Sequence, residues 1–170
     1  MTGPARRLWA GYAAALLAAA PACWRGGELT ESGKGLPVVA VDFPQNAAPG
    51  SVQTAVLSVE NPGPGDIARV VVTFVRVGAP AAEGLPNPIV DPGRSPDSGE
   101  VVGVHPEPRS VSPDGLAFRF GALGEGEEMT IEFDLRVPEV AGIAANSVTV
   151  YDDLEPPRAR GVRLETTVQG

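Results

Sequence analysis

The sequence is poor in the side chains on which most enzymes and metal proteins depend: it has one histidine, one cysteine, and aromatics at only 5% of 170 residues. A single imidazole, His105, excludes zinc or copper sites built on two or more histidines, and Met129 belongs to the core register of its strand. One cysteine, Cys23, excludes any intramolecular disulfide. Both tryptophans, Trp9 and Trp24, precede the patterned region, which leaves that region without an indole to line a glycan cleft. Basic runs are also absent. With 13 Lys and Arg against 21 Asp and Glu the formal charge is −8, the wrong sign for neutralising phosphates, so nucleic acid is not an expected partner. After residue 35 no segment combines a helical period with caps. What is present is apolar and rich in turn residues. Hydrophobic residues at 43% suffice for one packed domain, and the 21 glycines and 18 prolines fall between apolar runs rather than in a repeat, as turns in an all-β chain do.

The opening segment, MTGPARRLWAGYAAALLAAAPAC, places Arg6 and Arg7 before an apolar run from Leu8 to Ala20, then Ala20-Pro21-Ala22 before Cys23. A positive start, an apolar centre too short to span a membrane comfortably, and small residues at a cut are the plan of an export signal over residues 1–22. A lone thiol in an oxidising exported compartment then calls for a reason. Ala-Pro-Ala-Cys resembles the lipobox of bacterial lipoproteins, with Ala20 where that family usually has Leu. The resemblance implies cleavage before Cys23, lipidation of Cys23, and attachment to the membrane through the acylated N-terminus. Each buried methylene would add about 0.8 kcal/mol of anchoring, and Trp24 would rest at the lipid interface. The alternative is an ordinary A-x-A cleavage site and a secreted or periplasmic soluble protein. Losing residues 1–22 removes two arginines and no acid, taking the charge from −8 to −10. Residues 23–36, polar and glycine-rich from Arg25 to Gly35, read as a flexible tether, and 37–170 as the domain.

Within 37–170 the dominant pattern has period two. Met129, Ile131, Phe133, Leu135 and Val137 alternate with Thr130, Glu132, Asp134 and Arg136, placing apolar side chains on one face of a strand and charges on the other. Leu116, Phe118 and Phe120 repeat the pattern, as do Val162, Leu164, Thr166 and Val168. Further strand candidates are 38–43, 52–60, 67–77, 100–105 and 144–151, each bounded by Gly, Pro, Asn or Asp. About seven to eight short strands predict an antiparallel β-sandwich. Between two of them lies VENPGPGD, residues 59–66. Pro62 and Pro64 fix φ, Gly63 and Gly65 admit positive φ, and Asn61 and Asp66 can bond nearby backbone, so this stretch is a structural corner. A phosphate-cradling loop would need a following helix, and a valine-rich strand follows instead.

Three features, SVENPGPGDIARVVVTF (58–74), FGALGEGEEMTIEFDLRV (120–137) and AGIAANSVTVYD (141–152), resemble the DUF11 or CARDB-like immunoglobulin-fold modules of bacterial surface proteins. Those modules show an Asn-x-Gly-Pro corner before a valine-rich strand, a Leu-Gly-x-Gly-Glu turn, and a Gly-x-x-x-Asn strand near the end. The resemblance spans most of 38–168 and implies an immunoglobulin-like sandwich. It also implies a structural role for Asn146, which alternates with Ala144, Val148 and Val150 and so points inward. The chain departs from the pattern between Gly78 and Pro113, where a long Pro-rich insertion is the most individual segment and a place for binding on a rigid scaffold.

Candidate chemistry is sparse. His105 with Ser110 or Ser112 and an aspartate lacks a nucleophile elbow and sits in a stiff His-Pro-Glu-Pro context, so no catalytic residue is assigned. Asp91, Ser95, Asp97 and Glu100 are spaced so that their oxygens could converge on a hard cation such as Ca²⁺, although the spacing matches no standard calcium loop. Asp152, Asp153 and Glu155 form a second acidic group. The expectation is a non-enzymatic, exported and lipid-anchored module without cofactor. It would act in the cell envelope as a spacer or as a binder of envelope proteins, with a calcium- or glycan-binding sandwich as the alternative.

Overall fold

The computed structural model describes residues 36–78, 85–91, 99–155 and 158–170. The export signal, Cys23, nearly all of the tether, Ser95 and Asp97 lie outside the described residues. Among the described residues ten strands are formed: β1 Val38–Asp42, β2 Asn46–Ala47, β3 Val52–Glu60, β4 Val70–Arg76, β5 Val101–His105, β6 Ser110–Val111, β7 Ala117–Arg119, β8 Glu128–Arg136, β9 Gly142–Asp152 and β10 Arg160–Val168. They build a four-stranded sheet in the order β1-β3-β8-β5 and a six-stranded sheet in the order β2-β10-β9-β4-β7-β6, an immunoglobulin-like β-sandwich.

Three details differ from the sequence-based expectation. The strand count exceeds seven to eight because β2 and β6 are two residues long, too short to carry an alternating pattern. The sandwich is not wholly antiparallel: β2 runs parallel to β10, as Asn46 and Ala47 pair with Thr167 and Val168. The segment between Gly78 and Pro113 is more structured than expected: besides β5, which matches the strand candidate at 100–105, it supplies β6 to the other sheet, and Asn87 bridges Ala144.

Alternation explains the packing. On β8, Ile131, Phe133 and Leu135 are buried, and on β10 Val162, Leu164, Thr166 and Val168 are buried while Arg163 and Glu165 face water. Phe133 of the four-stranded sheet meets Phe74, Phe118 and Phe120 of the other edge-to-face, with centroids 5.1, 5.1 and 6.4 Å away, the favoured geometry for aromatic pairs. Val70, Val71 and Val72 are all fully buried, so β4 is covered on both faces. In β5 a bulge between Val101 and Gly103 breaks the alternation, and Val101 and Val104, three apart, both pack toward the core.

The registers also define two ends. At one, Val38 pairs with Glu60, Glu60 with Glu128, and Val70 with Asp152. At the other, Val52 pairs with Arg136, Arg76 with Asn146, and Val168 with Gly142. The chain enters β1 at the first end and leaves β10 at the second.

Candidate functional site

Each end is organised by a fully buried asparagine. Asn61 closes the 59–66 corner: its Oδ1 accepts the Gly63 N–H (3.0 Å), while Nδ2 donates to the carbonyls of Gly65 and Leu123, both at 2.9 Å. Gly63 and Gly65 take positive φ, 77° and 91°, conformations that glycine adopts without steric cost. The corner does not form a hairpin; it carries the chain from β3 in one sheet to β4 in the other. It docks on the 123–127 turn, where Ile67 and Leu123 exchange two 2.9 Å backbone bonds, Glu125 Oε2 accepts the Gly65 N–H, and Asp66 Oδ1 accepts the Glu125 N–H. Two motifs about sixty residues apart in sequence thus make one unit.

At the opposite end Asn146 Oδ1 accepts the N–H groups of Ile89 (2.8 Å) and Val90 (2.9 Å), and Nδ2 donates to the carbonyls of Val90 (2.8 Å) and Val75 (3.3 Å). With the backbone bonds from Asn87 N–H to Ile143 and from Ala145 N–H to Asn87, this amide seats residues 87–90 against β9 and buries Ile89 and Val90. Beside it lies an open groove of about 580 Å³ lined in part by Arg76, Asp91, Glu100, Arg136 and Glu139.

The structure engages the remaining candidates in local bonds. Asp91 forms an ion pair with Arg76, and Glu100 accepts the Asp91 N–H at 2.6 Å. Among the described residues no three His, Cys, Asp or Glu side chains converge as a metal site. Asp152 accepts the N–H groups of Ala68, Arg69 and Leu154, and Asp153 pairs with Arg69 and Arg119. Ser112 donates to Asp114 and accepts the Ala117 N–H, the bonding of a turn rather than of an activated nucleophile. That hydroxyl, together with the Leu116 N–H, holds the Asp114 carboxyl below the ordinary aspartate range. His105 is exposed at the end of β5, opposite Glu132.

One feature that alternation foreshadows only strand by strand is the segregation of charge. The outer face of the four-stranded sheet carries Asp42, Glu60, Glu128, Glu132 and Asp134 against one arginine, Arg136 at the end of β8. Among the described residues none of the five has an ion pair, and Glu60 and Glu128 stand directly opposite each other. Arg69, Arg76, Arg119 and Arg163 are instead paired on or beside the six-stranded sheet, as is Arg158 just before β10. Asp134 accepts the Thr54 hydroxyl at 2.7 Å and lies against Gly103, where an added Cβ would come 3.1 Å from its Oδ2.

No protein-family model and no curated protein sequence matches the chain. Similar solved structures include the CARDB domain of the PF1109 protein from Pyrococcus furiosus, solved in complex with di-metal ions (TM-score 0.46, 14% identity, 84% of this chain and 97% of that one). The human F-spondin reeler domain matches with a TM-score of 0.44 and 11% identity over 81% of this chain and 93% of that one. A PapD-like domain of human CEP192 matches with 0.36 and 13% identity over 84% and 90%.

Proposed function

We propose that the chain is a non-enzymatic module of the cell envelope, exported by residues 1–22 and lipid-anchored at Cys23, which acts as a spacer and protein-interaction domain. The observation that carries this reading is how the polar side chains are used. The buried amides of Asn61 and Asn146 and the carboxylates of Asp91, Asp152 and Asp153 hold loops and strand ends in place, which suits a rigid scaffold better than a reacting centre. Nine paired residues of β3 and β8 span about 30 Å at the usual rise per residue, the separation the module would impose between its entry and its far end.

Cells fed a fatty-acid analogue test the anchor: labelling of the wild type and none of Cys23→Ala is expected, and equal labelling would reject lipidation. In-cell crosslinking tests the interaction role. Recurrent envelope partners are expected, and their absence from both wild type and Cys23→Ala would leave the interaction role without support.

A further inference from the structure

The four strand edges are not equivalent. The six-stranded sheet ends in β2 and β6, two residues each, which leaves little ladder to extend. On the four-stranded sheet β1 lies against β10 of the other layer, while β5 pairs with β8 on one side and, among the described residues, with no strand on the other. Edges are usually blunted by charged side chains, prolines or bulges; β5, VVGVH, has the bulge between Val101 and Gly103 but carries no Lys, Arg, Asp or Glu.

We propose that the outer edge of β5 is a docking site for an extended segment of a basic partner protein, which would add to the sheet as a fifth strand. This deepens the reading as an interaction module and rests on it. Charge complementarity selects the partner. Gly103 pairs with Asp134 and His105 with Glu132, so the outer side of the sheet behind these two positions is acidic, with Arg136 only beyond them at the start of β5, while Val101 and Val104 make the inner side apolar. Gly103 leaves a notch in front of Asp134 that a side chain there would fill. An added strand would lie about 10 Å from β8, two strand spacings, within reach of a Lys or Arg stem extended across that notch. The segment recognised therefore alternates basic residues facing Asp134 and Glu132 with apolar residues resting on the rim of the core.

The test uses the purified chain and a fluorescent peptide of about nine residues alternating Val with Lys, beside a counterpart with Glu for Lys. The Lys peptide is expected to bind, to shift the amide resonances of residues 101–105, and to weaken as salt rises from about 20 to about 300 mM. The double change Glu132→Gln and Asp134→Asn, which keeps an acceptor for Thr54, should weaken binding about tenfold, and Gly103→Thr should do likewise by filling the notch. No binding at about 1 mM peptide, equal binding of the Glu peptide, resonance shifts elsewhere, or an unchanged affinity in the neutralised variant would each overturn the proposal. These outcomes concern the edge alone; partners crosslinked in cells despite a silent peptide would reject the β5 site and leave the interaction module standing.

Discussion

Replacing Asn146 by alanine isolates the device that seats residues 87–90. The side chain is fully buried and makes four hydrogen bonds, two to the N–H groups of Ile89 and Val90, whose own exposures are 1% and 3%. Asn146→Ala strands both donors and deprives the Val75 and Val90 carbonyls of a partner. At about 1–3 kcal/mol per unmet buried group, the two N–H groups dominate and the expected loss is about 3–5 kcal/mol, a large share of the roughly 5–15 kcal/mol that holds an ordinary domain folded. Urea unfolding followed by circular dichroism reads it as a lower midpoint at unchanged slope, and hydrogen exchange at the Ile89 and Val90 amides should accelerate. Asn146→Asp provides an internal check. It keeps the acceptor for both N–H groups but turns an oxygen toward the Val90 carbonyl, so its carboxyl should be held above the ordinary range. With the folded pKa raised, this variant should gain stability as pH falls and lose it as pH rises through the folded value. A loss below about 1 kcal/mol in Asn146→Ala with exchange at 89 and 90 still slow would refute the assignment, because the buried donors would then have another partner.

Three further expectations concern other sites. Gly63→Ala forces an L-residue to φ 77° and pushes the Glu125 side chain, 2.6 Å from the new Cβ, off the Gly65 N–H; about 1–2 kcal/mol of destabilisation is expected, and an unchanged thermal midpoint would contradict it. Thr166 buries a hydroxyl that has no hydrogen-bond partner among the described residues, so Thr166→Val should be neutral or raise stability by up to about 1–2 kcal/mol; clear destabilisation in urea would mean that the hydroxyl is satisfied. The Asp114 carboxyl should titrate below 3.8 by NMR, and Ser112→Ala should move it up. Since its folded pKa is depressed, its contribution to stability is present above the unfolded value and lost as pH falls through the folded one.

Strand identity was legible wherever a single side chain per position decides the face. β8 and β10 carry strict alternation, and their burial follows it residue by residue. The 59–66 corner was legible for the same local reason, because Pro, Gly and Asn constrain the backbone themselves. What escaped the sequence depends on contacts between distant backbones. The parallel β2–β10 pair is made by main-chain groups that any residue possesses, and the β5 bulge changes which valines face inward without changing composition. Val71 is buried on the outer side of its strand, so the run Val70–Val72 announces a strand but not its faces. At the candidate sites, Asp91 and Glu100 were readable as acids with suitable spacing, whereas the Arg76 guanidinium that occupies Asp91 comes from a strand fifteen residues earlier. Gly103 became notable only once β5 was paired with Asp134 behind it.

The parallel β2–β10 pair gives the module a mechanical grain. A pull that drags residue 36 outward from one end and residue 170 outward from the other would slide β2 and β10 past each other lengthwise. Once the β1–β3 pairing had given way, the bonds from Thr167 to Gln45 and from Gln169 to Ala47 would bear that load side by side, and neither could peel away before its neighbour. A fold stretched along this axis yields abruptly, whereas the same bonds tugged crosswise would open one at a time.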